Sequence, residues 1–206
     1  MKAIHLLGVG AGQGDMPARR GAVSLDLLDD LSAELARIFQ VSCHVREDYL
    51  ATDFALDSTR GQYHSTTILQ RMQSLVPEPA VHLLGVTDVD LYVPVLTFVF
   101  GEAQLEGRCS LVSLHRLRDD FYGLPPNGRA LLDRLAKEAV HELGHTLGLR
   151  HCFDWRCVMS SSHNVERIDS KEPHFCADCL RKVSLPEPAP HRGFSGVFTT
   201  KGEMER

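Results

Sequence analysis

The chain has 206 residues, 43% hydrophobic and 24% charged, with a formal net charge of −5 at pH 7. This is ordinary for one globular domain with a substantial core, and the mild negative charge argues against a nucleic-acid scaffold. The longest apolar run, residues 93–100, is far short of the ~20 residues a membrane span needs, and the N-terminal apolar stretch is too short for an export signal. The expected location is therefore cytoplasmic, with no nucleic-acid or membrane partner.

Hydrophobic periodicity predicts alternating strands and helices. Residues 3–9 read as a buried strand. Ser24 is an N-cap for a helix reaching Phe39, with Leu27, Leu28, Leu31, Leu35, Ile38 and Phe39 on one stripe. Residues 41–45 form a second strand, 62–75 a second helix carrying Ile68, Leu69, Met72 and Leu75, and 80–86 a third strand. Two further strands, 97–103 and 108–115, flank a turn at Glu106-Gly107. Pro125-Pro126-Asn127 opens a long helix, about 127–148, with Leu131, Leu135, Ala139 and Leu143 facing inward. Together these predict an α/β fold: a mixed, mostly parallel sheet with flanking helices. Beyond Leu185 the chain turns Pro-rich, so residues 1–185 are expected to form a single domain and 186–206 a flexible tail.

Within the long helix and just past it stand His141, Glu142, His145, Gly148 and His151. Histidines four apart lie on one helical face, one turn above another, as a shared metal ion requires. Glu142 sits beside them, placed to take a proton from a metal-activated water. His151 could not reach the same ion if the helix continued, because ten residues at ~1.5 Å rise separate it from His141 by roughly 15 Å. The chain must stop and fold back, and Gly148 permits this by adopting the left-handed conformation that ends helices. An accidental match would have to reproduce the acid, the glycine and the third histidine together.

Four of the six cysteines follow closely: Cys152, Cys157, Cys176 and Cys179. Two short-spaced thiolate pairs separated by a loop suit a tetrahedral zinc site. Disulfides fit a reducing compartment poorly, and a redox Cys-x-x-Cys belongs at a strand-to-helix turn rather than in a polar, irregular stretch. Cys43 and Cys109, in strand candidates, read as buried thiols, and His163 and His174 as solvated loop residues. The glycine-rich stretch Gly8-Val9-Gly10-Ala11-Gly12-Gln13-Gly14 is expected to be a flexible turn. It is not a dinucleotide loop, since Gln13, Asp15 or Pro17 falls where the third glycine belongs. Asp88 and Asp90 read as turn residues rather than paired catalytic acids.

From His141 to Cys179 this pattern resembles the archaemetzincins: His-Glu-x-x-His-x-x-Gly-x-x-His-Cys, then Cys-x-Met, then Cys-x-x-Cys. Sixteen residues separate Met159 from Cys176, one fewer than is usual in that family. The resemblance implies a metzincin-like zinc metallopeptidase with a small four-cysteine zinc subdomain near its C-terminus. By it, His141, His145 and His151 bind a catalytic zinc, Glu142 is the general base and Met159 underlies the site. Cys152, Cys157, Cys176 and Cys179 (segment 152–179) would hold a second, structural zinc, making two per chain. The substrate would be a peptide or protein, held as an extended strand against a rim formed by residues 97–103. A catalytically inactive zinc module that binds a protein partner, or a zinc hydrolase of non-peptide amides, are the other classes compatible with these residues. The sequence sets no oligomeric state.

Overall fold

A computed structural model of the chain describes residues 1–12, 23–78 and 80–183, so the expected tail lies outside the described residues, as do Gln13 and Gly14. The described elements run β1 (Ala3–Gly10), α1 (Leu25–Phe39), β2 (Ser42–Ala51), β3 (Leu56–Asp57), β4 (Gln62–His64), α2 (Ser65–Gln73) and β5 (Val81–Thr87). They continue with β6 (Leu91–Tyr92), β7 (Gly101–Ala103), β8 (Cys109–Ser113), α3 (Gly128–Thr146), α4 (Val165–Asp169) and α5 (Ala177–Val183).

The main sheet has the order β2-β1-β5-β8-β7. Its pairs are parallel except β7–β8, which is antiparallel, giving the mixed, mostly parallel sheet expected. The pleat divides each strand between two faces. On one face Ile4, Leu6, Leu84, Val86 and Val112 pack with Leu31 and Leu35 of α1 and Leu135, Ala139 and Leu143 of α3. On the other, Leu7, Val9, Leu83 and Leu111 pack with Ile68, Leu69 and Met72 of α2. Covered on both sides, β5 is buried along its whole length, which is why its sequence shows no regular apolar–polar alternation. The Ser24 hydroxyl caps α1 by accepting from the Leu27 amide at 3.3 Å, and Gln40 closes it in the left-handed region at φ 54°.

Three elements differ from their sequence expectation. Strand β2 continues to Ala51, well past residue 45, because pairing with β1 extends a largely exposed edge that carries little apolar alternation. Helix α2 begins at Ser65, not at residue 62, because residues 62–64 are drawn into a small second sheet of order β3-β4-β6. The strand expected over 97–103 contracts to β7, with Val99 making only a single bridge to Leu91. Gly8 and Gly10 belong to β1 rather than to a turn, and the Tyr49 ring of β2 lies where their side chains would be. No described helix is long and apolar enough to cross a membrane.

Candidate active site and metal centre

Helix α3 carries the site through the middle of the molecule. Asn127 caps it, its Oδ1 accepting from the Ala130 amide at 3.1 Å. Arg134 then anchors it, donating to both carboxylate oxygens of Asp169 at 2.6 and 2.8 Å and to Asp119 at 2.7 Å. From Arg134 to Gly144 every residue is buried. The helix ends as the sequence requires: Gly148 takes φ 91°, its amide donates to His145 O at 2.9 Å, and the Leu149 amide donates to Gly144 O at 3.0 Å. The Glu106 amide, on the turn after β7, also donates to His145 O, at 3.0 Å, and docks the β7–β8 hairpin on the helix end.

This turn returns His151 to the two helical histidines. Ring centroids lie 4.7 Å apart for His141–His145, 5.3 Å for His141–His151 and 5.1 Å for His145–His151. One nitrogen from each falls within 4.8 Å of the others. Backbone carbonyls select which nitrogen points inward. His141 Nδ1 donates to Val158 O at 2.8 Å and His145 Nδ1 to Leu149 O at 2.7 Å, leaving both Nε2 atoms as acceptors, 3.1 Å apart. Burial pushes all three imidazoles below their ordinary pKa, so each presents a neutral ring. Glu142 is 5% exposed, and burial, reinforced by the charges of Glu138 and Glu102, pushes its carboxyl well above the usual range.

The four cysteines form a second cluster, their sulfurs within 4.8 Å of one another. Cys152 and Cys176 are 3.8 Å apart, as are Cys157 and Cys179, and all are free thiols. Between them Met159 is fully buried against α3. A side chain at Gly144 would come within 2.9 Å of Phe175 and collide with the Met159 sulfur.

The model of peptidase family M54 matches residues 47–185. The chain belongs to peptidase family M54, the archaemetzincin family of zinc metallopeptidases. An archaemetzincin of Methanocaldococcus jannaschii is 43% identical over 163 residues, covering 79% of this chain and 88% of its own. The archaemetzincin of Archaeoglobus fulgidus, solved in complex with malonate, superposes with a TM-score of 0.70 at 32% identity, covering 87% of this chain and 99% of that one. That of Methanopyrus kandleri gives the same TM-score and identity, covering 89% of this chain and 93% of that one.

The donor sets fit the metal that the M54 family uses. Three neutral imidazoles with inward lone pairs suit a catalytic zinc, which keeps three protein ligands and one open position. Four converging sulfurs suit a structural zinc. Burial pushes the Cys157 thiol up to about 11 and raises Cys179 as well, so these two favour the neutral form until a cation is bound.

Around this M54 centre the cleft opens on two sides. A cavity of about 480 Å³ reaches from Phe98 and Phe100 past Glu138 to Ser162 and His163. One of about 550 Å³ lies toward Glu102, Leu105 and Arg150. Gly101, His141, Glu142 and His151 line both. Sequence reasoning missed Gly101, Glu102, Glu138 and Lys171 here. Only Glu138 left a signal, four residues before Glu142 on the same helical face. His163 is exposed, as expected of a loop histidine, yet it faces the cleft. Asp90 serves structure, holding Arg116 through two bonds of 2.7 Å.

Proposed function

We propose that this M54 chain hydrolyses peptide bonds, with His141, His145 and His151 as ligands of a catalytic zinc and Glu142 as general base. The observation that carries this reading is the convergence of three neutral imidazoles, two with Nδ1 tied to carbonyls, beside a buried carboxylate. Bound zinc would supply Lewis acidity, polarising a carbonyl and acidifying a water. Glu142 would accept the proton from that water and pass it to the departing amine.

The free edge of β7 would hold the substrate. Glu102 pairs with Leu111, the Ser113 amide donates to Phe100 O at 2.8 Å, and the Gln104 amide donates to Cys109 O at 3.0 Å. In an antiparallel ladder the intervening residues then turn their amides and carbonyls outward. Gly101 and Ala103 thus offer backbone partners to an extended peptide of any sequence.

Cys152, Cys157, Cys176 and Cys179 would hold the second zinc, giving two per chain. Residues 1–185 would form one catalytic domain, because the sheet, α3 and the cysteine cluster share a single core from Ile4 to Cys179. A thiolate zinc site suits a reducing compartment and supports a cytoplasmic location. Replacing Glu142 by Gln tests the central assignment. The variant is expected to keep zinc at the histidines yet lose peptide hydrolysis by at least about 100-fold, the span of a general base. Full activity in that variant would refute the role.

A further inference from the structure

Lys171, in the turn after α4, has a side chain with 0% exposure, and its acidic partner Glu138 has 5%. An ammonium so enclosed is costly unless its protons find acceptors. Its Nζ donates to Glu138 Oε1 at 3.4 Å and to Val158 O at 3.2 Å. That same carbonyl accepts from His141 Nδ1 at 2.8 Å. Glu138 and His141 stand three residues apart on α3, so a closed ring results: helix to Glu138, to Lys171, to the Val158 carbonyl, to His141 and back to the helix. Lys137, the residue before Glu138, instead pairs with the half-exposed Asp133 at 2.7 Å and donates to Asp169 O at 3.4 Å.

We infer that Lys171 is a positioning residue for the histidine metal site, acting through the Val158 carbonyl on His141. A carbonyl engaged by two donors is restrained in two directions, and the His141 ring turns only as far as that oxygen allows. Glu138 accepts from the ammonium and ties it to the helix that bears the ligand. The inference rests on the reading of His141 as a zinc ligand. Charge alone predicts the opposite outcome: removing a cation from beside a metal site tightens metal binding, whereas removing a positioning bond loosens it. The sign of the change therefore identifies the role.

The test measures zinc affinity at the histidine site of the full chain by competition with a chromophoric chelator, with the four-cysteine site as internal reference. Cobalt(II) absorption at the histidine site reports its geometry. Lys171→Met is expected to weaken the histidine site about 10–100-fold, the usual cost of losing an outer hydrogen bond to a ligand. The cobalt bands should change while the cysteine site does not. The double variant Lys171→Met, Glu138→Gln leaves no stranded carboxylate and should be as weak as Lys171→Met; it carries the comparison if the single variant misfolds. Affinity equal to or above wild type in Lys171→Met, or restored in the double variant, would overturn the inference. A wild-type protein that takes no zinc at its histidines would instead overturn the reading of the site itself.

Discussion

Gly101 lies where β7 passes Glu142, and adding one methyl group there should disable the site. An ideal Cβ would sit 2.7 Å from both Cγ and Oε1 of Glu142 and 2.6 Å from the Leu111 carbonyl oxygen. Carbon–carbon contacts are comfortable near ~3.5 Å, so Glu142 or the strand must retreat by roughly 0.8 Å. The Leu111 oxygen belongs to the β7–β8 ladder and yields little, so β7 shifts locally and Glu142 is displaced with it. Misplacing a catalytic group by about 1 Å costs on the order of 100-fold in rate, while overpacking costs about 1–3 kcal/mol of stability. Gly101→Ala is therefore expected to lower kcat/KM on a quenched-fluorescence peptide about 100-fold with zinc content unchanged. Gly128→Ala is the control. No atom lies within 4 Å of its ideal Cβ, and in the first turn of α3 alanine should leave activity intact and add about 0.4–1 kcal/mol of stability. Wild-type kcat/KM in Gly101→Ala would show that Glu142 does not need its present position, and the geometric argument would fall.

His82 should make stability depend on pH. It lies in β5 and donates from Nδ1 to Thr146 Oγ1 at 2.8 Å, and burial pushes its pKa down to about 4. Between the unfolded value near 6.5 and that figure, the unfolded chain binds the proton and the folded chain does not. Stability is thus fully present above about pH 6.5 and is lost as pH falls toward 4, by up to about 3 kcal/mol. Urea midpoints across this range should slope less in His82→Asn than in wild type, and equal slopes would discount the histidine. Elemental analysis should find two zinc per chain, falling to one in His145→Ala with the cysteine site retained. One zinc in both proteins would place the only metal at the cysteines.

The clustering of the candidate metal ligands was legible because their chemistry is local. His141, Glu142, His145 and Gly148 occupy one helix and its end, where the 3.6-residue period and a single left-handed residue fix their relation without reference to the rest of the molecule. The cysteine pairs were legible for a similar reason, since a one-residue change in loop length does not prevent four sulfurs from converging. The apolar stripe of α1 and the buried run of β5 likewise announced themselves through periodicity. Strand length on the polar edge was less legible, because β2 beyond residue 45 is held by backbone pairing that leaves no apolar alternation in its side chains. The starts of α2 and β7 depended on partners far along the chain: Tyr63 pairs with Leu91, and the Gln62 amide group donates to Thr97 O at 3.0 Å.

What surrounds the ligands was decided only by tertiary structure. Gly101 matters because β7 brings it against a glutamate 41 residues later, and Lys171 because the turn after α4 folds beneath His141. Neither carries a local signature, since a glycine in a short strand and a lysine in a turn are ordinary until the sheet edge and the helix meet. The sequence by itself determined which atoms could hold a metal and which carboxylate could move a proton. Packing determined how tightly those atoms are held and from which side a peptide reaches them, because those properties arise from contacts between segments that share no periodicity.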